Sequence, residues 1–152
     1  MKRILLVLTV LLVAVYWVWP RAYVHRLDTA LTRGDEETLS RLVVLPSVKA
    51  AIEQSLSNDV NAALGDTEDG FLGWLKNQVT DLGSSAVDEI IDLEWVRETL
   101  MPGEKTLESR VTNGSFEAWD IYVVRVGKLG NQPVHIKMQL LGSNWRVVAI
   151  YP

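Results

Sequence analysis

Hydrophobic positions fall into three regimes along the 152 residues. From Ile4 to Trp19 no charge interrupts them, and Met1-Lys2-Arg3 and Arg21 bracket the run. From Tyr23 to about Leu100 they recur every three or four residues, which gathers them on one face of successive helices. Beyond Pro102-Gly103 the period changes to two, the repeat of a half-buried strand.

The helical stretch is punctuated. Pro20 suits the first turn of a new helix, where its missing N–H is no loss. Tyr23, Leu27, Ala30 and Leu31 give that helix an apolar face. Gly34 is a natural stop, and Asp35 a natural N-cap for a helix carrying Leu39, Leu42 and Val43. Pro46 favours an extended Leu45 and then a fresh helix over about 47–64. Its inward stripe is Val48, Ala51, Ile52, Leu56, Val60, Ala63 and Leu64. "GDTEDG" (65–70) reads as a loop. Phe71, Leu72, Leu75, Val79 and Leu82 then predict a helix stopped by Gly83. Ser85-Ala86-Val87-Asp88 reads as a capping box opening a helix with Val87, Ile90 and Ile91 inward. Asp92 caps a last short one carrying Trp95, Val96 and Leu100.

Four strands follow, predicted over 106–112, 116–126, 134–141 and 145–151. Asn113-Gly114 is a strong signal for a tight hairpin. In the third strand Val134, Ile136, Met138 and Leu140 alternate with their neighbours, and in the fourth Trp145, Val147, Ala149 and Tyr151 do. Short loops imply antiparallel neighbours. The predicted class is therefore α+β: an N-terminal transmembrane helix, then several short helices packed on a four-stranded antiparallel meander sheet. Residues 1–20 are read as a signal-anchor and 21–152 as one domain, helical over 21–103 and sheet over 104–152.

The first run decides whether the protein is tethered. Its Leu, Ile and Val residues favour insertion by about 5 kcal/mol on a translocon scale. Sixteen helical residues span roughly 24 Å, short of a core of about 30 Å, and Lys2, Arg3 and Arg21 can snorkel to make up the difference. A cleaved leader needs small residues at −3 and −1. Cutting after Ala14, Ala22 or Ala30 puts Leu12, Pro20 or Asp28 at −3, and none fits. Tyr16, Trp17 and Trp19 stand at the exit, where aromatic rings prefer the headgroup layer. The membrane-anchor residues are thus Ile4, Leu5, Leu8, Leu11, Leu12, Tyr16, Trp17 and Trp19. Lys2 and Arg3 argue for a single pass of the inner membrane with the domain in the periplasm. Export after cleavage is the alternative, and a buried helix of a soluble protein is a third reading.

Charge narrows the partners. Residues 35–104 hold fifteen acids against four bases, whereas 21–34 and 105–152 are mildly basic. A middle that acidic speaks against a nucleic-acid backbone. The basic stretch beside the apolar run suits anionic headgroups. No cysteine is present, so disulfides and thiolate chemistry are excluded.

No catalytic or metal constellation emerges. His25 and His135 lie on different elements, with no H-x-x-x-H or G-x-S-x-G pattern around them. Asp66, Glu68 and Asp69 miss the ligand order of a calcium loop. Asp88, Glu89, Asp92, Glu94 and Glu98 read as a wet helix face. Gly70 and Gly73 do not follow a strand, so they make no phosphate loop. No cofactor or metal is expected. The remaining candidates are tryptophans. Trp74, Trp95 and Trp119 could line a pocket, although large aromatics are more often core.

Trp19-Pro20, Tyr23, Leu27, Ala30, Gly34-Asp35, Leu39, Leu42-Val43, Pro46 and Val48 resemble a family of small bacterial proteins, the domain of unknown function 2939. Ile90-Ile91, Glu94 and Val96 fit its later half, so the likeness covers about 16–101. Val44 and Leu45 stand where that family usually has an acidic and an aromatic residue, and Lys49 where it tends to have Arg. The resemblance implies a tethered or exported protein and no activity. Trp145-Arg146, opening the last strand, also looks like the closing strand of cone-shaped domains similar to nuclear-transport-factor-2-like proteins. The expectation is a non-enzymatic domain that meets membrane lipid through its N-terminal helix and binds an envelope protein partner. The alternative is a small-molecule pocket or minor enzyme of that cone shape.

Overall fold

The computed structural model describes residues 2–61, 85–103, 105–128 and 133–151. The loop expected at 65–70 and the helix at 71–82 lie outside them. Among the described residues six helices precede four strands: α1 (Lys2–Arg33), α2 (Glu36–Leu42), α3 (Leu45–Asn61), α4 (Ser85–Ile90), α5 (Leu93–Leu100) and α6 (Leu107–Arg110), then β1 (Val111–Ala118), β2 (Ile121–Val126), β3 (Val134–Leu141) and β4 (Asn144–Tyr151). The sheet is an antiparallel meander in the order β1-β2-β3-β4. The fold is α+β, as the change of period from helical to two predicts.

Helix α1 passes straight through Pro20, where the sequence predicts a new start. Proline inside a helix removes one backbone hydrogen bond and crowds the preceding turn, at about 3 kcal/mol. Packing outweighs that cost. Pro20, Tyr23, Val24, Leu27, Ala30 and Leu31 are all buried, and each large apolar side chain buried contributes about 1.5–3 kcal/mol. The same helix is bare on the other side of Pro20, where Ile4 through Val15 stand exposed.

Gly34 ends α1 with φ +65°, and the Asp35 carboxylate then caps α2. It accepts the Thr38 N–H at 3.0 Å and the Thr38 hydroxyl at 2.6 Å. Val43 is extended and bridges to Val147 of β4 in parallel. The Val44 N–H donates to the Val147 carbonyl at 2.9 Å. Helix α3 begins at Leu45, two residues before the predicted start at 47, and Leu45 is helical rather than extended, because the Val44 carbonyl already accepts the Ser47 and Val48 N–H groups. The chain crossover at Val43-Val44 thus locks α2 and α3 onto the sheet.

The inner face of the sheet carries Tyr122, Val124, Val126, Val134, Ile136, Met138, Trp145, Val147 and Ile150. Against it lie Leu27 and Leu31 of α1, Leu39, Val48, Ile52, Val87, Ile91, Val96 and Leu100, all in one core cluster. Asp92 caps α5 by accepting the Trp95 backbone N–H at 2.7 Å.

Three sequence expectations for the sheet move. Residues 107–110 are helical, because the Thr106 hydroxyl accepts the Ser109 N–H and Leu107 is fully buried. Asn113-Gly114 is not a turn but the middle of β1, paired with Arg125 and Val124 of β2. Gly114 is required there by a neighbour, since a Cβ would meet the Tyr122 hydroxyl at 2.3 Å. The hairpin turns instead at Trp119-Asp120, splitting the long strand expected over 116–126. Finally, Lys137 faces Ala149 while Met138 faces Val147, so Val148 is an extra residue in β4. Such a bulge swaps the faces beyond it. Ile150 therefore enters the core, and Tyr151 is exposed.

Candidate functional site

The most distinctive region is the junction between the bare half of α1 and the sheet. Ile4, Leu5, Leu8, Leu11, Leu12 and Trp17 are exposed. Tyr16 and Trp19 turn partly inward, Trp19 against the core cluster. This helix is long and apolar enough to cross a membrane by length and composition.

A chain of rings connects it to the sheet. The Tyr16 ring stacks on Phe116 of β1 at 5.2 Å between centroids, and Trp17 meets the same ring edge-on at 5.9 Å. Phe116 in turn contacts Tyr122 at 5.0 Å and Trp145 at 5.9 Å. Edge-to-face and stacked pairs of this kind add about 0.5–1.5 kcal/mol each beyond burial. The Tyr16 hydroxyl and the Trp145 indole N–H are buried and find no hydrogen-bond partner among the described residues. The cluster is held by ring packing alone at those two atoms.

Beside it a cleft of about 520 Å³ opens between α1 and the first two strands. Val24, Val111, Tyr122 and Val124 supply its apolar lining, with Arg21, Glu108 and Asn113 as the polar groups. Volume in that range suits a small ligand. Its chemistry is sparse. The Thr112 hydroxyl, which also lines it, is committed: it donates to the Gly127 carbonyl at 2.7 Å and accepts from Arg125 Nε at 3.2 Å. Glu108 Oε1 lies 3.1 Å from His25 Nδ1, and both side chains are well exposed. An exposed pair of this kind contributes about 0–1 kcal/mol. The buried Asp28 (8% exposed) does not enter the cleft lining, and accepts the Glu108 backbone N–H at 3.2 Å.

A second cleft, about 330 Å³, lies between α3 and α4. Lys49 closes it by donating to the Asp88 carbonyl at 2.7 Å and its carboxylate at 3.1 Å. Asp88, read from the sequence as part of a wet acidic face, is thus an inter-helix partner.

Neither cleft is lined by Trp95 or Trp119. Trp95 is buried on α5, whereas Trp119 stands 74% exposed on the β1–β2 turn. Trp74 lies outside the described residues. His135 sits on β3 opposite Tyr151 and Arg125. Among the described residues no three His, Asp or Glu side chains gather as a metal site. Phe116 is the residue that pattern reading missed. Its place in a strand is legible, although the sequence puts it at the start of the second rather than in β1, and its contact with Tyr16 depends on how α1 crosses the sheet.

A family model described as a protein of unknown function (DUF2939) matches residues 9–99, more than half of the chain. No curated protein and no solved structure matches it.

Proposed function

The chain belongs to the DUF2939 family, and from that premise we propose that it is a membrane-anchored envelope protein whose domain binds a protein partner at the bilayer surface. The observation that carries this reading is the change in burial along α1. Apolar side chains from Ile4 to Val15 are bare, and from Pro20 onward one face is packed into the domain. Twelve large apolar residues stand bare on this one helix between Ile4 and Val18, and such a stretch is stable only in lipid or against another protein. Lys2 and Arg3 favour the cytoplasmic side, so the domain faces the periplasm.

The partner-binding part of the reading draws on β1. Among the described residues it is an edge strand paired with β2, and its Asn113 is exposed beside the larger cleft. An edge of this kind can accept an added strand. The test is a photo-crosslinking residue at Asn113 in living cells, with one at Tyr151 as the comparison. A discrete protein adduct from position 113 alone supports the reading. Absence of any adduct there counts against it.

A second reading takes the larger cleft as a small-molecule pocket, on the strength of its volume. Among the described residues its lining brings together no buried acid and no nucleophile–base pair, and the reading is of binding.

A further inference from the structure

We propose that the β1–β2 turn is a second lipid contact, with the Trp119 indole seated in the headgroup layer of the bilayer that α1 crosses. The proposal rests on the anchor reading of α1 given above.

Strand β1 runs antiparallel to α1, toward the bare end of the helix. At its start, Val111 lines the same cleft as Val24, and Glu108 just before it reaches His25. Near its end, Phe116 packs on Tyr16 and Trp17. Trp119 lies three residues further in the same direction. A register shift between Phe116 and Ala118 takes up one of those residues, so the advance is about two strand steps, up to about 7 Å. The same distance along a helix is about four or five residues. The turn therefore lies at the exit end of the bare apolar segment, between the level of Tyr16 and about one helical turn beyond it. A bilayer that covers Ile4 to Val15 meets this turn without any movement of the domain.

The other turn at this end of the sheet is tied to α1, because Tyr23 donates its hydroxyl to Asn144 Oδ1 at 2.9 Å.

The chemistry of the turn fits the interface. Trp119 is exposed, and an indole favours the boundary where its face is apolar and its N–H is wet. The acids beside it are tied to the sheet. Glu117 pairs with Lys137 at 3.8 Å, and Asp120 accepts from Gln139 Nε2 at 3.3 Å. The Asp120 carbonyl also accepts the Leu140 N–H at 2.9 Å. With the Asp120 carbonyl and carboxylate both engaged, Trp119 is the large apolar side chain that the turn presents. Headgroup depth, rather than the hydrocarbon, is where the remaining backbone groups of a turn can still meet water.

The test uses the absence of native cysteine. Full-length variants Leu8→Cys, Trp119→Cys and Tyr151→Cys each carry one environment-sensitive fluorophore. They are reconstituted in vesicles of phosphatidylethanolamine and phosphatidylglycerol, with or without quencher-bearing lipids. Trp119 is exposed, so its replacement leaves the core intact, and circular dichroism checks this. The expected result is quenching of position 8 by acyl-chain quenchers, of position 119 by headgroup-level quenchers, and of position 151 by neither. Quenching at 8 with none at 119 overturns the hairpin contact and leaves the anchor standing. Quenching at neither overturns both. Equal quenching at 119 and 151 also overturns the proposal, because the turn then has no special place.

Discussion

The ring of Tyr16, in the last turns of the bare apolar segment, lies stacked on the ring of Phe116 in the edge strand, 5.2 Å between centroids and 16° from parallel. This contact joins the bare apolar segment to the sheet, so the two do not behave as independent parts. Phe116→Ala is expected to destabilise the domain by about 1–3 kcal/mol, below the range for a fully buried Phe because Phe116 is half-buried. A double-mutant cycle with Tyr16→Ala in detergent micelles should give a coupling of about 1 kcal/mol. Additive single effects would mean that the two rings do not interact.

Gly114 and Tyr122 form a close pair across the first two strands. A Cβ at position 114 would fall 2.3 Å from the Tyr122 hydroxyl and 3.0 Å from the ring carbon bearing it. Tyr122 is buried between Phe116 and Trp145, so the ring cannot swing freely. Gly114→Ala should cost about 1–3 kcal/mol in urea unfolding, the usual penalty for overpacking. Adding Tyr122→Phe should return part of the loss, because the nearest atom is removed. No recovery in the double variant would contradict this account.

Asp28 is a buried carboxylate with a structural task. It satisfies the Glu108 backbone N–H at the start of α6 and so ties α1 to the entry of the sheet. Asp28→Ala leaves that donor without an acceptor, at about 1–3 kcal/mol. Asp28→Asn keeps an oxygen acceptor and should cost less. The ordering of the two urea midpoints checks the assignment, and equal midpoints would reject it.

Asp35 carries a pH dependence of known sign. The Thr38 hydroxyl and the Thr38 N–H, in that order, hold its carboxyl below the usual carboxylate range, with Arg41 adding a smaller effect. A folded-state value below the unfolded one means that the contribution is present above the unfolded value, about 3.9. It is lost as pH falls through the folded value. The melting temperature of the native chain should therefore exceed that of Asp35→Ala at neutral pH, and the gap should narrow below about pH 4. A gap that stays constant down to pH 2 would show that the cap is not ionised.

Much of the fold was legible because its signals are local. Gly34-Asp35 and Asp92 act through the nearest turn, and each stands where pattern reading puts it; the change of period is present but begins at Val111, after a helical turn over 107–110. The misplacements arise from tertiary contacts. Pro20 reads as a helix start, yet burial of the following turns carries α1 through it. Asn113-Gly114 reads as a hairpin, but its glycine answers to the Tyr122 ring arriving from the next strand. Tyr151 reads as inward until the extra Val148 swaps the faces. The same limit applies to the site. The apolar N-terminal segment is visible as a run of apolar letters, whereas Phe116 and the exposure of Trp119 depend on where α1 lies over the sheet.

The central claim is that residues 4–19 remain attached to the chain and in lipid. Intact-mass analysis of the native protein, after an alkaline wash of isolated membranes, tests it most directly. The account predicts an uncleaved chain that stays in the washed membrane pellet and leaves it only with detergent. A chain starting after Trp19 in the soluble fraction would contradict it.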